Sequence, residues 1–227
     1  MDKEFAYFYE KLGFGPATHT ATPSRDVIES FRGRLPDQWL KYWGEYGWSC
    51  YGGGLLWTIN PLEYEDVVKA WLSGTPYERG DSFEAVARTA FGKLYSWSAR
   101  SGQSLQVNSI HGMIFPHDQT EAIQKGRSDI LVRWFFVAMT KKSLDQLDDR
   151  DHPLFDKALK RVGALGPGEM YGFVPALVAG GRLSLEHVQK VDAVTHLLML
   201  AQLGERRIMR DIVKDARNAG LLGQEKK

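Results

Sequence analysis

Large apolar side chains recur at helical spacing through the first part of this chain, and a glycine or proline cuts each run short. Phe5, Phe8, Tyr9 and Leu12 share a face before Gly13, and Val27, Ile28 and Phe31 share another behind Ser24, a residue suited to an N-cap. The stretch between them, residues 15–23, reads as polar turn. Proline favours the first helical position, so the next helix starts at Pro36, turns Trp39, Leu40, Trp43 and Tyr46 to one side, and stops within residues 44–47. Asn60, Pro61 and Glu63 then supply a cap, a first-turn proline and a carboxylate at the positive end of a helix reaching Leu72, with Tyr64, Val67, Val68 and Trp71 inward. Helices this short need a covering surface. Their aromatic stripes suit either a binding face or a core, and the core carries more weight because large aromatics dominate burial.

Strands supply that cover. Residues 55–59, after the run Gly52, Gly53 and Gly54, are short, apolar and partly β-branched. Residues 94–97 and 105–110 make a hairpin around the turn at 99–104. The first half is therefore α+β: a small, mainly antiparallel sheet flanked by helices. Residues 130–139 are apolar enough for a buried helix or a strand, and periodicity does not choose. An acidic run follows, and the domain boundary is placed there, giving 1–140 and 141–227. The second half reads as mostly helical: Phe155, Ala158, Leu159 and Val162 form one face, residues 170–175 are extended, and Ser184 caps a long helix carrying Val188, Val191, Val194, Thr195, Leu198 and Leu203, continuing through Ile208, Ile212 and Val213. The tail beyond Gly220 is expected to fray.

Charge excludes some partners. The 227 residues carry 29 Lys and Arg against 28 Asp and Glu, which argues against a whole-molecule grip on nucleic acid. One cysteine, Cys50, allows no internal disulfide, which favours a cytoplasmic setting. The start shows no signal-peptide pattern, and no stretch approaches the roughly 20 apolar residues of a membrane span.

A search for chemistry finds little. His111, His117, Asp118 and Glu121 form the nearest approach to a metal cluster, but their spacing fits no familiar zinc pattern. Gly163, Gly166 and Gly168 have the wrong order for a dinucleotide site and follow a helix. No catalytic residue, metal or cofactor is assigned. Carboxylates are the remaining signal: residues 60–85 hold Glu63, Glu65, Asp66, Glu78, Asp81 and Glu84 against Lys69 and Arg79, and residues 143–152 hold Asp145, Asp148, Asp149 and Asp151 against Arg150. Each patch is either a solvated surface or the face offered to a basic partner.

Residues 35–62, from Leu35 and Pro36 through Trp39, Trp43 and Gly52 to Pro61, resemble the GAD-like domain, with residues 89–95 as its second signature. Residues 153–203 resemble the C-terminal domain of type VI secretion immunity proteins of the Tdi type, through Pro153, Leu154 and Phe155, the run 163–166, the run 169–177, and Gly180 and Gly181. The resemblance implies an antitoxin that binds a cognate type VI effector, and the chain is similar to the Tsi-type antitoxin of a DNase effector. It implies no catalytic residues. The partner-binding candidates are Glu63, Glu65, Asp66, Asp145, Asp148, Asp149 and Asp151, with Tyr64 or Tyr77 as an exposed aromatic anchor. Residues 35–47 also resemble Smi-like interaction modules, the alternative without a toxin partner.

Overall fold

A computed structural model describes residues 1–218 of the chain. Asp2 accepts the N–H of Phe5 and opens α1 (Lys3–Ala6), which continues as a π-helical turn over Tyr7–Lys11. After β1 (Thr18–Ala21), the Ser24 side chain accepts the N–H of Val27 and starts α2 (Arg25–Ser30). Pro36 precedes α3 (Asp37–Tyr46), then β2 (Trp48–Tyr51), a 3-10 turn at Gly52–Gly54 and β3 (Leu56–Thr58). Asn60 accepts the N–H of Leu62 above a 3-10 turn at Pro61–Tyr64 that leads into α4 (Glu65–Leu72). Four strands follow: β4 (Glu84–Thr89), β5 (Lys93–Ser98), β6 (Gly102–Asn108) and β7 (Met113–Pro116). Next come α5 (Thr120–Gln124), α6 (Ser128–Val137), α7 (Lys141–Leu144) and α8 (Phe155–Val162), then β8 (Glu169–Phe173) and β9 (Val188–Asp192). The described chain ends with α9 (Ala193–Leu203), β10 (Arg207–Ile208) and α10 (Ile212–Asn218).

Eight strands form one sheet in the order β1-β2-β3-β4-β5-β6-β7-β10, antiparallel except where β10 runs parallel to β7. Strands β8 and β9 make a separate antiparallel hairpin. The α+β class and the 94–110 hairpin are as expected, but the sheet is larger than the sequence suggested. Strand β4 shows no alternation because every one of its residues is buried, and β1 shows none because every one is exposed.

Aromatic contacts place the helical stripes in the core. Phe5 stacks on Tyr46 at 4.4 Å, Phe8 on Phe14 at 4.5 Å, and Trp39 lies 5.4 Å from Phe136 of α6. A second group, α4 and α9, is joined by the indole N–H of Trp71 donating to the Leu197 carbonyl at 3.1 Å. Buried residues from Phe5 to Ala201 belong to one hydrophobic cluster.

Some boundaries move. The 130–139 ambiguity resolves as helix α6. Helix α3 passes Gly44 and stops at Gly47, where φ is +65°. The long helix expected from Ser184 is corrected: Ser184 precedes only a 3-10 turn, Val188 and Val191 lie on strand β9, and the helix begins behind Asp192, which accepts the N–H of Thr195. β-branched valines favour a strand although their three-residue spacing reads as helical, and the carboxylate is a strong cap. Nor does that helix continue through Ile208 and Ile212, because β10 interrupts it. The fraying expected beyond Gly220 lies outside the described residues. Among the described residues, no helix is long and apolar enough to cross a membrane.

Candidate functional site

Two acidic runs were expected to face a partner. Three carboxylates of the first, Glu63, Glu65 and Asp66, sit on the 3-10 turn and first turn of α4, where carboxylates suit the positive helix end, whereas Glu84 is buried on β4 and paired with Arg34. Glu63, Glu65 and Asp66 are exposed. The amide of Asn60 donates to Glu63 at 3.2 Å, and Lys69 pairs with Glu65 at 2.8 Å and with Asp66 at 3.7 Å. That Lys69 hydrogen bond lowers the pKa of Glu65. The negative charge here is partly neutralised from within the chain.

Tyr64 is not an exposed anchor. It is 3% exposed, buried like Val67 and Val68 that follow it, and its hydroxyl accepts a hydrogen bond from Arg88 Nε at 3.0 Å. Burial raises its pKa against the opposing pull of Arg88. Tyr77 is half-buried, edge-on to Phe83 at 6.3 Å, and its pKa is raised by burial and by Asp211.

The second run forms the loop between α7 and α8, and its four carboxylates divide into two kinds. Asp145 is half-buried and accepts the N–H groups of Gln146 at 2.7 Å and Phe155 at 2.9 Å, so it shapes the entry to α8. Burial raises its pKa although these bonds oppose the change. Asp148 accepts the N–H of His152 at 2.8 Å and of Arg150 at 3.0 Å, with Lys157 at 3.4 Å, and the His152 bond leads in lowering its pKa. Asp149 and Asp151 are exposed, and among the described residues neither carboxylate has an ion-pair partner. Asp151 holds φ at +61°, a left-handed conformation uncommon outside glycine. No hydrogen bond or ion pair between described residues links this loop to Glu63, Glu65 or Asp66.

Two features carried no clear signal in sequence. A cavity of about 320 Å³ opens between the β6–β7 turn and the end of α9, with His111, Met113, Val178, Leu200 and Arg207 on its walls. Val178 and Leu203 nearby are each 50% exposed. Burial and neighbouring Lys93 lower the pKa of His111. The other is Arg88, fully buried in strand β4 behind Ala85, Val86 and Ala87.

Comparison with known proteins agrees with this architecture. The GAD-like domain family matches residues 3–111, and the family described as T6SS immunity protein Tdi1, C-terminal, matches residues 132–204. The chain therefore carries a match to the GAD-like domain followed by a match to the Tdi1-type immunity domain. The chain is similar in fold to the crystal structure of Atu4351 from Agrobacterium tumefaciens, with a TM-score of 0.80 at 23% identity over 92% of this chain and 91% of that one. No curated protein matches it significantly. The C-terminal match supports an immunity role in type VI secretion, and such a role implies an effector partner.

Proposed function

We propose that this protein is a cytoplasmic antitoxin that neutralises a cognate type VI effector, a DNase, by covering its DNA-binding or active-site surface, with no reaction, metal or cofactor of its own. The observation that carries the reading is the immunity-domain match over residues 132–204. Physical chemistry supplies the mode. A DNase must offer phosphates a basic groove, and an inhibitor with exposed carboxylates competes for that groove as a polyanion.

Asp149 and Asp151 lead the interface because no ion pair among the described residues offsets them. Glu63, Glu65 and Asp66 form the second contact, and half-buried Tyr77 is retained as a separate aromatic contact. Asp145 and Asp148 serve by shaping the loop that presents the other two. Tyr64, being buried, supports α4 from within. The division into 1–140 and 141–227 is part of this proposal: it assigns one acidic run to each half.

Co-expression with the neighbouring effector gene tests the reading. Growth rescue, co-purification and loss of plasmid cleavage by the purified effector are expected. Growth arrest unchanged by co-expression overturns the immunity role, and an effector without nuclease activity overturns the DNase assignment alone.

A further inference from the structure

Past Gly204 the chain returns along the sheet as a strap. Arg207 and Ile208 pair with Met113 and Ile114, the Arg207 N–H donating to the Gly112 carbonyl and the Met209 N–H to the Ile114 carbonyl, both at 2.8 Å. Farther on, Asp211 accepts the N–H of Asp118 at 2.8 Å, and Lys214 Nζ meets the Asp118 carboxylate at 2.9 Å. Arg206 donates to the Ala70 carbonyl. These attachments are backbone bonds and charged contacts.

Among its described residues the strap has no buried apolar anchor. No described side chain between residues 205 and 216 is buried, and Ile208 and Ile212 are 41% and 77% exposed. Helix α9, immediately before it, buries Leu197, Leu200 and Ala201. Apolar burial is the main resistance to local opening, and a segment held by exposed polar contacts falls at the low end of the stability range within one fold.

We propose that residues 205–216 are a latch that opens as a unit while the rest of the fold stays closed, and that opening uncovers the β7 edge of the eight-stranded sheet. With the latch shut, β10 occupies that edge. With it open, the β7 backbone groups that β10 now pairs are released to water, and the cavity loses the wall that Glu205 and Arg207 provide. The latch carries its own sensitivity to salt, because its outer half rests on Lys214 and Asp118, with side chains 56% and 33% exposed. The proposal does not depend on who the partner is.

Native-state hydrogen exchange on the full chain is the test. The Arg207 and Met209 amides are expected to exchange about a hundredfold faster than those of Leu94 and Val107 in the sheet centre, and faster again in about 1 M NaCl. Lys214→Met, on the surface, should accelerate the latch amides about threefold or more while leaving Leu94, Val107 and the global unfolding midpoint unchanged. Exchange of all four amides in step, or a K214M variant that shifts the global midpoint together with the latch, overturns it.

Discussion

Arg88 donates from Nε to the hydroxyl of Tyr64 across 3.0 Å, with the two residues 0% and 3% exposed. The same guanidinium donates to the Pro167 carbonyl at 2.8 Å and lies 4.9 Å from the centre of the Trp57 ring. Among the described residues, no carboxylate pairs with it. Desolvating a cation is costly, so its neutral acceptors and the ring face must replace water. The contact also ties β4 to the turn before β8, which joins the two family-matched segments.

Tyr64→Phe should therefore cost more than a surface hydroxyl would. It leaves a buried, charged N–H without its acceptor and should lower stability by about 1–3 kcal/mol, seen as a lower denaturant midpoint at unchanged slope. A midpoint equal to the parent's would show that the hydrogen bond contributes nothing.

Gly47→Ala should be damaging for a backbone reason. Gly47 combines φ of +65° with ψ of −170°, a region that L side chains rarely enter, and a Cβ there would lie 2.6 Å from the Ala21 carbonyl oxygen. That oxygen belongs to the main chain of β1, so relief requires moving the edge strand. A loss of about 2 kcal/mol or more is expected, with faster amide exchange in β1. Exchange in β1 identical to the parent's would contradict this account.

Acid should loosen the carboxyl end of the latch. Burial by itself raises the pKa of Asp118, but hydrogen bonds from the Thr120 hydroxyl and N–H and from Lys214 outweigh it and bring the group to about 2, against an ordinary 3.8. A carboxylate depressed in the folded state contributes stability that is complete above its unfolded value and lost as pH falls through the folded one. The contact should thus persist to about pH 4 and fail near pH 2. An NMR titration of the Asp118 carboxyl carbon with its midpoint near 3.8 would show that these contacts are not held in solution.

Some of this was legible in the sequence, and the reasons differ by element. Caps announced α2 and α4 because Ser24 and Asn60 are chemically suited to their positions, and the structure has both side chains accepting N–H groups. The 94–110 hairpin was readable from its turn. Strand β4 was not, since burial on both faces erases the period-two pattern. Ser184 misled because a cap residue is common and Asp192, eight residues later, is the stronger one in place. The site was harder still. Composition found the carboxylates, but only three dimensions separate Asp145 and Asp148, spent on backbone N–H groups, from Asp149 and Asp151, which are free of them.

That separation gives a ranking for the proposed interface. At a distance, an approaching basic surface senses only how much negative charge is present, so Asp149→Asn with Asp151→Asn and Glu65→Gln with Asp66→Asn should slow association with the effector equally, by about two- to fivefold at low salt. At contact they differ. A partner cation that binds Glu65 must first displace Lys69, held at 2.8 Å, and the gain is the difference between two ion pairs. One that binds Asp149 or Asp151 displaces only water. The Asp149 and Asp151 variant should therefore dissociate about tenfold faster than the parent, and the Glu65 and Asp66 variant at nearly the parental rate. Stopped-flow association and surface-immobilised dissociation read the two steps separately. Unchanged association in both variants would remove charge from the recognition step, and equal dissociation would remove the loop at 149–151 from the interface.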